Sequence, residues 1–362
     1  ERNPRKKILY LVFNKSQRVS AQAKFPGNTL AHTGHSLAYR YEGYNWKDSL
    51  TTNFSPHVFL PAFEDYDDPH ALAQYAYSFV NFHLNAPFAK FDESVPHFLP
   101  YLNEERGKEF TAHLPAILRA CHDLTNAWHN KKEPCPHDFY LKLFHMDGRF
   151  QEVVNSYDIV LFDEMQDSTR LIMDVAARCT SEMFMVGDDY QEIYQWRYTQ
   201  NAMRLVDCDA EFDLTQAFRF GAPIADFTQR FVRETLDEEF IIRGNPKMDS
   251  MVYQYRNHRR LPPIDAVLSR TNMTLFGEVL RCREHDIPYR FERDLTGTLC
   301  QLIDVYWLGC RKHEKIRDPF IKSFSSMVAA EEHAEKMGDL NLMSSLNTVT
   351  SVLMIAEWNC SR

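Results

Sequence analysis

Apolar positions recur with two periods along this chain, and the period changes at defined places. "KKILYLVFN" (6–14) is a short, β-rich apolar run that ends in Asn-Lys, which predicts a buried strand. From about 42 to 150 the spacing becomes helical. "LAQYAYSFVNF" places Leu72, Tyr75, Ala76 and Phe79 on one face. "FTAHLPAILRACHDLTNAW" places Phe110, Leu114, Ile117, Cys121, Leu124 and Trp128 on another. Pro56, Pro61, Pro87, Pro96 and Pro100 punctuate the connections, so this stretch is expected to be a mainly helical insertion. Strand patterns return at "YDIVLFDE" (157–164) and "EMFMVGD" (182–188), with a helix-like stretch between them. Strand, helix, strand predicts a parallel α/β sheet. "DAVLSRTN" (265–272) reads as a further strand before the helix-like "TLFGEVLRCREH", and 300–362 reads as helical and polar.

Composition narrows the class. At 362 residues, 44 % hydrophobic and 25 % charged, the chain has the length of two or three globular domains. It contains no run of 18 apolar residues, so no membrane association is expected. "ERNPRKKILY" lacks the apolar core of a signal peptide. The eight Cys include no C-x-x-C pair, which argues against structural zinc and a disulfide framework and suits a reducing compartment. A protein that is not secreted is expected: nuclear if the source is eukaryotic, cytoplasmic otherwise. The net charge of −9 is unusual for a protein that coats nucleic acid, but its distribution is uneven. Arg2, Arg5, Lys6, Lys7, Lys15 and Arg18 face only Glu1 in the first 18 residues, and "RNHRR" (256–260) forms a second basic cluster.

Three short stretches carry chemistry. Parallel sheets bind ligands beyond the carboxyl ends of their strands, where Asp163 and Asp188 fall. A carboxylate at a strand end, Asp163, suits Mg2+, and its neighbour Glu164 suits proton acceptance from an attacking water. "MVGDDYQEIYQWR" (185–197) supplies Gln191, an amide able to sense a phosphate oxygen. The same loop carries Tyr194 and Trp196 beside Arg197, a stacking platform for unpaired bases. "LTQAFRFGAPIADF" (214–227) supplies Arg219, a guanidinium suited to clamping phosphate. Taken singly, each has an ordinary structural alternative: core aromatics, a surface ion pair, a chance acid pair.

Taken together, "FDEMQDST", "VGDDYQEIYQWR" and "LTQAFRFG" resemble, in order and spacing, helicase motifs II, III and IV of the UvrD/Rep class of superfamily 1. "YLVFNKSQRVSAQAKFP" resembles motif Ia, "HTGHSLAYR" the DNA-contact motif that follows it, and "LSRTNMTLFGEVL" motif IVa. The tail "KIRDPFIKSF" (315–324) is similar to that of the F-box DNA helicase branch. The resemblance implies an α/β fold of RecA-like (P-loop NTPase) parallel sheets with large helical insertions. It implies a first RecA-like domain from 1–41 and 151–210, an insertion at 42–150, the start of a second RecA-like domain at 211–295, and an incomplete second insertion at 296–362. It implies ATP and Mg2+ as cofactors, with Asp163 on the metal, Glu164 on the water, and Gln191 and Arg219 on the γ-phosphate. Phe13, Asn14, Lys15, His35, Tyr194, Trp196 and Arg197 line the path of single-stranded DNA in this reading, with movement usually 3′ to 5′ in repair or recombination. Ubiquitin-ligase partners follow only if an F-box lies outside this chain.

The sequence also departs from the pattern. No G-x-x-x-x-G-K-[ST] occurs in the 362 residues, and motifs V and VI are absent after motif IVa. The phosphate loop is expected upstream of "KKILYLVFN", so the chain is expected to be a fragment with an idle ATPase half-site. The competing reading is a non-catalytic single-strand-binding or scaffolding derivative of such a helicase. Gly34 stands where the family usually has Phe, and Tyr198-Thr199 where it usually has Gly-Ala, a change expected to crowd the DNA path.

Overall fold

The computed structural model describes residues 4–192, 198–199, 201, 203, 205–236, 239–254, 264–269, 272–291 and 295–360. The chain divides into two compact units: residues 1–206 with 290–362, and residues 207–289.

The first unit is built on a four-stranded, all-parallel sheet. The strands β1 (Ile8–Leu11), β2 (Thr29–His32), β3 (Ile159–Phe162) and β4 (Glu182–Met185) lie in the order β2-β1-β3-β4. β1 and β3, flanked on both sides, are the apolar ones, as interior parallel strands must be. β4 lies at the edge of the sheet, and Phe184 on it is half exposed. The strand β2, "TLAH", had no recognisable signal, because four residues with polar ends show too little periodicity.

The helices begin with α1 (Lys15–Lys24) between β1 and β2, then α2 (Gly34–Tyr41). The insertion follows with α3 (Pro69–Leu84), α4 (Phe91–Phe98), α5 (Glu104–Ala112), α6 (Leu114–His129), α7 (His137–Met146) and α8 (Arg149–Asn155). The stripe Leu72, Tyr75, Ala76, Phe79 is buried, but α3 is buried on further positions too, including Val80 and Phe82, so it is the insertion's central helix. Phe79, Phe98 and Phe110 meet edge-on and tilted at centroid distances of 5.2–5.5 Å. The single helix expected across 110–128 is two helices. Pro115 has no N–H to donate to the Thr111 carbonyl, and the chain turns at His113.

Lys142 on α7 is buried, and its ammonium donates to the carbonyls of His83 (3.0 Å), Ala86 (2.5 Å) and Phe88 (2.6 Å). The His83 carbonyl belongs to the last turn of α3, at the negative end of its dipole. Burial pulls the Lys142 pKa down to about 7.

α9 (Arg170–Ala177) links β3 to β4. The tail of this unit contains α12 (Thr296–Gly309), α13 (Pro319–Ser323), α14 (Met327–Met337) and α15 (Leu340–Cys360). It packs on the insertion. Lys336 bridges Asp68 and Glu109 at 2.8 Å each, and Arg106 donates to the Met337 carbonyl at 2.6 Å. No described helix is long and apolar enough to cross a membrane.

The second unit holds α10 (Ala222–Leu236) and α11 (Asn272–Glu284). The strand expected at 265–272 is not formed over its described residues. Leu268 is 95 % exposed, and residues 264–269 make no ladder; an apolar run without a partner strand to bond has no strand to form. The helix after it is present as α11.

Candidate functional site

β3 ends at Phe162, and the chain turns sharply there. Glu164 adopts φ 57°, ψ 42°, a left-handed conformation that costs a non-glycine residue about 1 kcal/mol or more, and strain of this kind marks functional turns. Four contacts hold it. The Asp163 N–H donates to the Leu11 carbonyl (2.9 Å), and the Met165 N–H to the Val186 carbonyl (3.1 Å). The Gln17 amide of α1 donates to Glu164 Oε1 (3.1 Å), and the Gln166 amide to Oε2 (2.7 Å). Both oxygens of Glu164 are therefore oriented by neutral donors.

Asp163 is fixed in the same manner. Its Oδ1 accepts from the Glu164 N–H at 3.1 Å, and its Oδ2 accepts from the hydroxyl of Tyr10 on β1. Burial raises the Tyr10 pKa; the hydrogen bond to Asp163 and the charges of Asp163 and Glu164 raise it further, so the phenol stays protonated and donating.

The second strand end is tied to the first by Gln166, which is 1 % exposed. While its amide nitrogen holds Glu164, its carbonyl oxygen accepts from the Asp188 N–H at 3.1 Å. Gly187 leaves room for this: a Cβ there would stand 2.8 Å from Gln166 Oε1 and 2.9 Å from Met203 Cγ. Asp188 accepts from the Tyr190 N–H (3.0 Å) and from the Gln191 amide (2.5 Å), which fixes Gln191 beside the second strand end. Asp163, Glu164, Asp188 and Gln191 thus share the carboxyl edge of one sheet.

The remaining predicted residues divide. Phe13, Asn14 and Lys15 follow β1 at the same edge, with Asn14 and Lys15 exposed. The Asn14 side chain caps α1, accepting from the Gln17 N–H (2.9 Å) and Ser16 hydroxyl (2.7 Å). Gln17 completes the capping box by accepting from the Asn14 N–H at 3.3 Å. In "HTGHS", Thr33 and Ser36 form a second capping box at α2. His35 in the first turn of α2 pairs through Nε2 with Asp138 Oδ1 at 2.7 Å. A Cβ on Gly34 would meet Ile172 Cδ1 at 3.1 Å, so Ile172 already fills the space beside it. Tyr194, Trp196 and Arg197, and the basic cluster at 256–260, lie outside the described residues. Tyr198 points into the insertion, against Phe82, Phe98 and Tyr101 at 5.1–5.9 Å. Arg219 belongs to the second unit and is exposed there.

Sequence reasoning missed Tyr10, Gln17 and Gln166. Gln17 had a signal, since Asn-x-x-Gln before a helix is a capping pattern. Tyr10 and Gln166 lie inside the stretches that resemble motifs Ia and II, but no local pattern singled them out.

Asp163, a hard oxygen donor at a strand end, suits a small divalent cation. Mg2+ is commonly held by one or two carboxylates together with substrate phosphates and water, so the donor set fits it. No cluster of three or more His, Cys, Asp or Glu able to hold a metal alone occurs among the described residues.

Comparison with known proteins decides the class of this edge. Residues 123–207, which contain both strand ends, match the UvrD/REP helicase N-terminal domain. Over these residues the chain is similar to the UvrD/Rep-type helicases. It is 25 % identical over 388 aligned positions to F-box DNA helicase 1 of Gallus gallus, covering 94 % of this chain and 35 % of that one. It is 26 % identical over 314 positions to F-box DNA helicase protein 1 of Schizosaccharomyces pombe, covering 77 % and 34 %. The chain spans about a third of the length of these curated relatives. The sheet is RecA-like, and the stretches that resemble motifs II and III hold the two strand ends that Gln166 connects.

Proposed function

We propose that this chain is part of the motor of an ATP-dependent DNA helicase or translocase. The observation that carries the reading is the Gln166 amide, which holds Glu164 at one strand end and the Asp188 backbone at the next. A change at the Gln191 loop is thereby transmitted to Glu164 through one side chain. Such an arrangement suits coupling of phosphate sensing to hydrolysis.

In this reading residues 1–41 and 151–210 form the first RecA-like domain around the insertion 42–150. Residues 211–295 begin the second domain, and 296–362 belong to a further insertion. Asp163 holds Mg2+, which when bound with ATP neutralises phosphate charge. Glu164, held by Gln17 and Gln166, accepts the proton of the attacking water. Gln191 and Arg219 contact the γ-phosphate. Phe13, Asn14, Lys15, His35, Tyr194, Trp196 and Arg197 contact single-stranded DNA, with Asn14 contributing its amide nitrogen because its oxygen caps α1. Movement is 3′ to 5′, in DNA repair or recombination.

Glu164→Gln tests the central role. In the intact protein it should lower DNA-stimulated ATP hydrolysis at least ~100-fold, the scale of a lost general base, with ATP binding retained. Hydrolysis within twofold of wild type would remove Glu164 from the chemistry. The 362-residue chain alone, which contains no G-x-x-x-x-G-K-[ST], should show no DNA-stimulated ATPase.

A further inference from the structure

The stretch that resembles motif Ia opens on Tyr10, which is given no role there, yet the fold brings its hydroxyl onto the acid pair. Tyr10 is the third residue of β1 and sits in register with Leu161 of β3, two residues before Asp163. Its ring is half-buried and lies edge-on to Phe25 at 4.9 Å and 72°, which fixes the direction of its hydroxyl. The hydroxyl donates to Asp163 Oδ2 while the Glu164 N–H donates to Oδ1. One donor on each oxygen fixes the rotation of the carboxylate, and each oxygen keeps a second lone-pair site for a cation.

We infer that Tyr10 is a positioning residue for the divalent cation, acting through Asp163. The inference rests on the reading of Asp163 as the metal ligand. Orienting partners of this kind contribute roughly 10–100-fold to metal affinity, because a ligand free to rotate must be ordered when the ion binds. The ring fills its site on Phe25 with or without the hydroxyl, so packing alone calls for Phe at this position. What the hydroxyl adds is the bond to Asp163.

The experiment is Mn2+ binding to the 362-residue chain, followed by the loss of the free-ion paramagnetic resonance signal, in wild type, Tyr10→Phe and Asp163→Asn. Tyr10→Phe is expected to weaken Mn2+ binding about tenfold. It should leave the circular dichroism spectrum and urea midpoint unchanged. Mn2+ should also perturb the tyrosine ultraviolet difference spectrum of the wild type, and this signal should vanish in Tyr10→Phe. Asp163→Asn should abolish site binding. If Tyr10→Phe binds Mn2+ as the wild type does while Asp163→Asn does not, the role of Tyr10 is overturned and that of Asp163 stands. If Asp163→Asn binds as the wild type does, or the wild type binds no Mn2+ at millimolar concentration, the metal reading fails and the inference fails with it. If Tyr10→Phe unfolds, the hydroxyl is a structural element and the positioning role is overturned.

Discussion

Acidification should loosen the junction between the tail and the insertion, through His333. The imidazole on α14 is 6 % exposed and packs against Phe324, Phe320 and His70 at 5.3, 5.5 and 6.1 Å. Its Nε2 has no hydrogen-bond partner among the described residues, so a proton there gains no acceptor. Burial first, then the charges of His70 and Lys336, lower its pKa to about 4 against the opposing charge of Asp68. The folded pKa lies below the unfolded one, so the unfolded chain takes up the proton first. Stability is complete above about pH 6.5 and is lost as pH falls towards 4. A drop from 6.5 to about 4 at 1.36 kcal/mol per unit sets a limit of about 3 kcal/mol, of which about 2 kcal/mol is already lost at pH 5. His333→Phe keeps an aromatic ring in the site and removes the titration. Hydrogen exchange of the α14 amides, corrected for intrinsic rates, reads this junction separately from the rest of the fold. Between pH 7 and 5 the wild type should lose about 2 kcal/mol of protection relative to His333→Phe. His70, Asp68 and Lys336 are retained in both proteins, so the difference reports the His333 site. Equal pH dependence in the two proteins would refute the reasoning.

Lys142→Met leaves three carbonyls, those of His83, Ala86 and Phe88, without their cationic donor and should destabilise the first unit by about 3 kcal/mol, read as a lower urea midpoint; an unchanged midpoint would show that burying the ammonium costs as much as its hydrogen bonds return. Gly187→Ala drives a methyl against the Gln166 oxygen and Met203, so it should cost about 1–3 kcal/mol and disconnect Glu164 from the Asp188 loop. A crystal structure of that variant with the Gln166 contacts intact would contradict this. Burial pushes the Cys121 thiol well above its usual range, whereas Cys208 is exposed. In the native protein a thiol reagent should therefore modify Cys208 and spare Cys121 until denaturant is added, as peptide mapping would show.

The local pattern of the sequence was sufficient for the helices of the insertion, for β1, β3 and β4, and for the placing of Asp163 and Asp188 at strand ends. Those features depend on period and on neighbours a few residues away. It failed where a partner decides the outcome. β2 is too short to show a period and forms because β1 lies beside it. The apolar run at 265–269 has the strand pattern and forms no ladder. Across 110–128, the helical spacing continues past His113 although Pro115 interrupts the hydrogen bonds.

The site divides in the same way. The order of motifs along the chain was enough to name Asp163, Glu164, Gln191 and Arg219 as candidates, and the fold brings the first three to one sheet edge while Arg219 lies in the second unit. What orients them was decided by the tertiary structure. Tyr10 reaches Asp163 across 153 residues of sequence, and Gln17 reaches Glu164 across 147. A hydrogen bond requires donor and acceptor within about 3 Å, and only the parallel pairing of β1 with β3 sets that distance. The sequence by itself thus determined which acids stand at the sheet edge. The fold alone determined which neutral donors hold them there, because orientation is a property of contacts that no local pattern records.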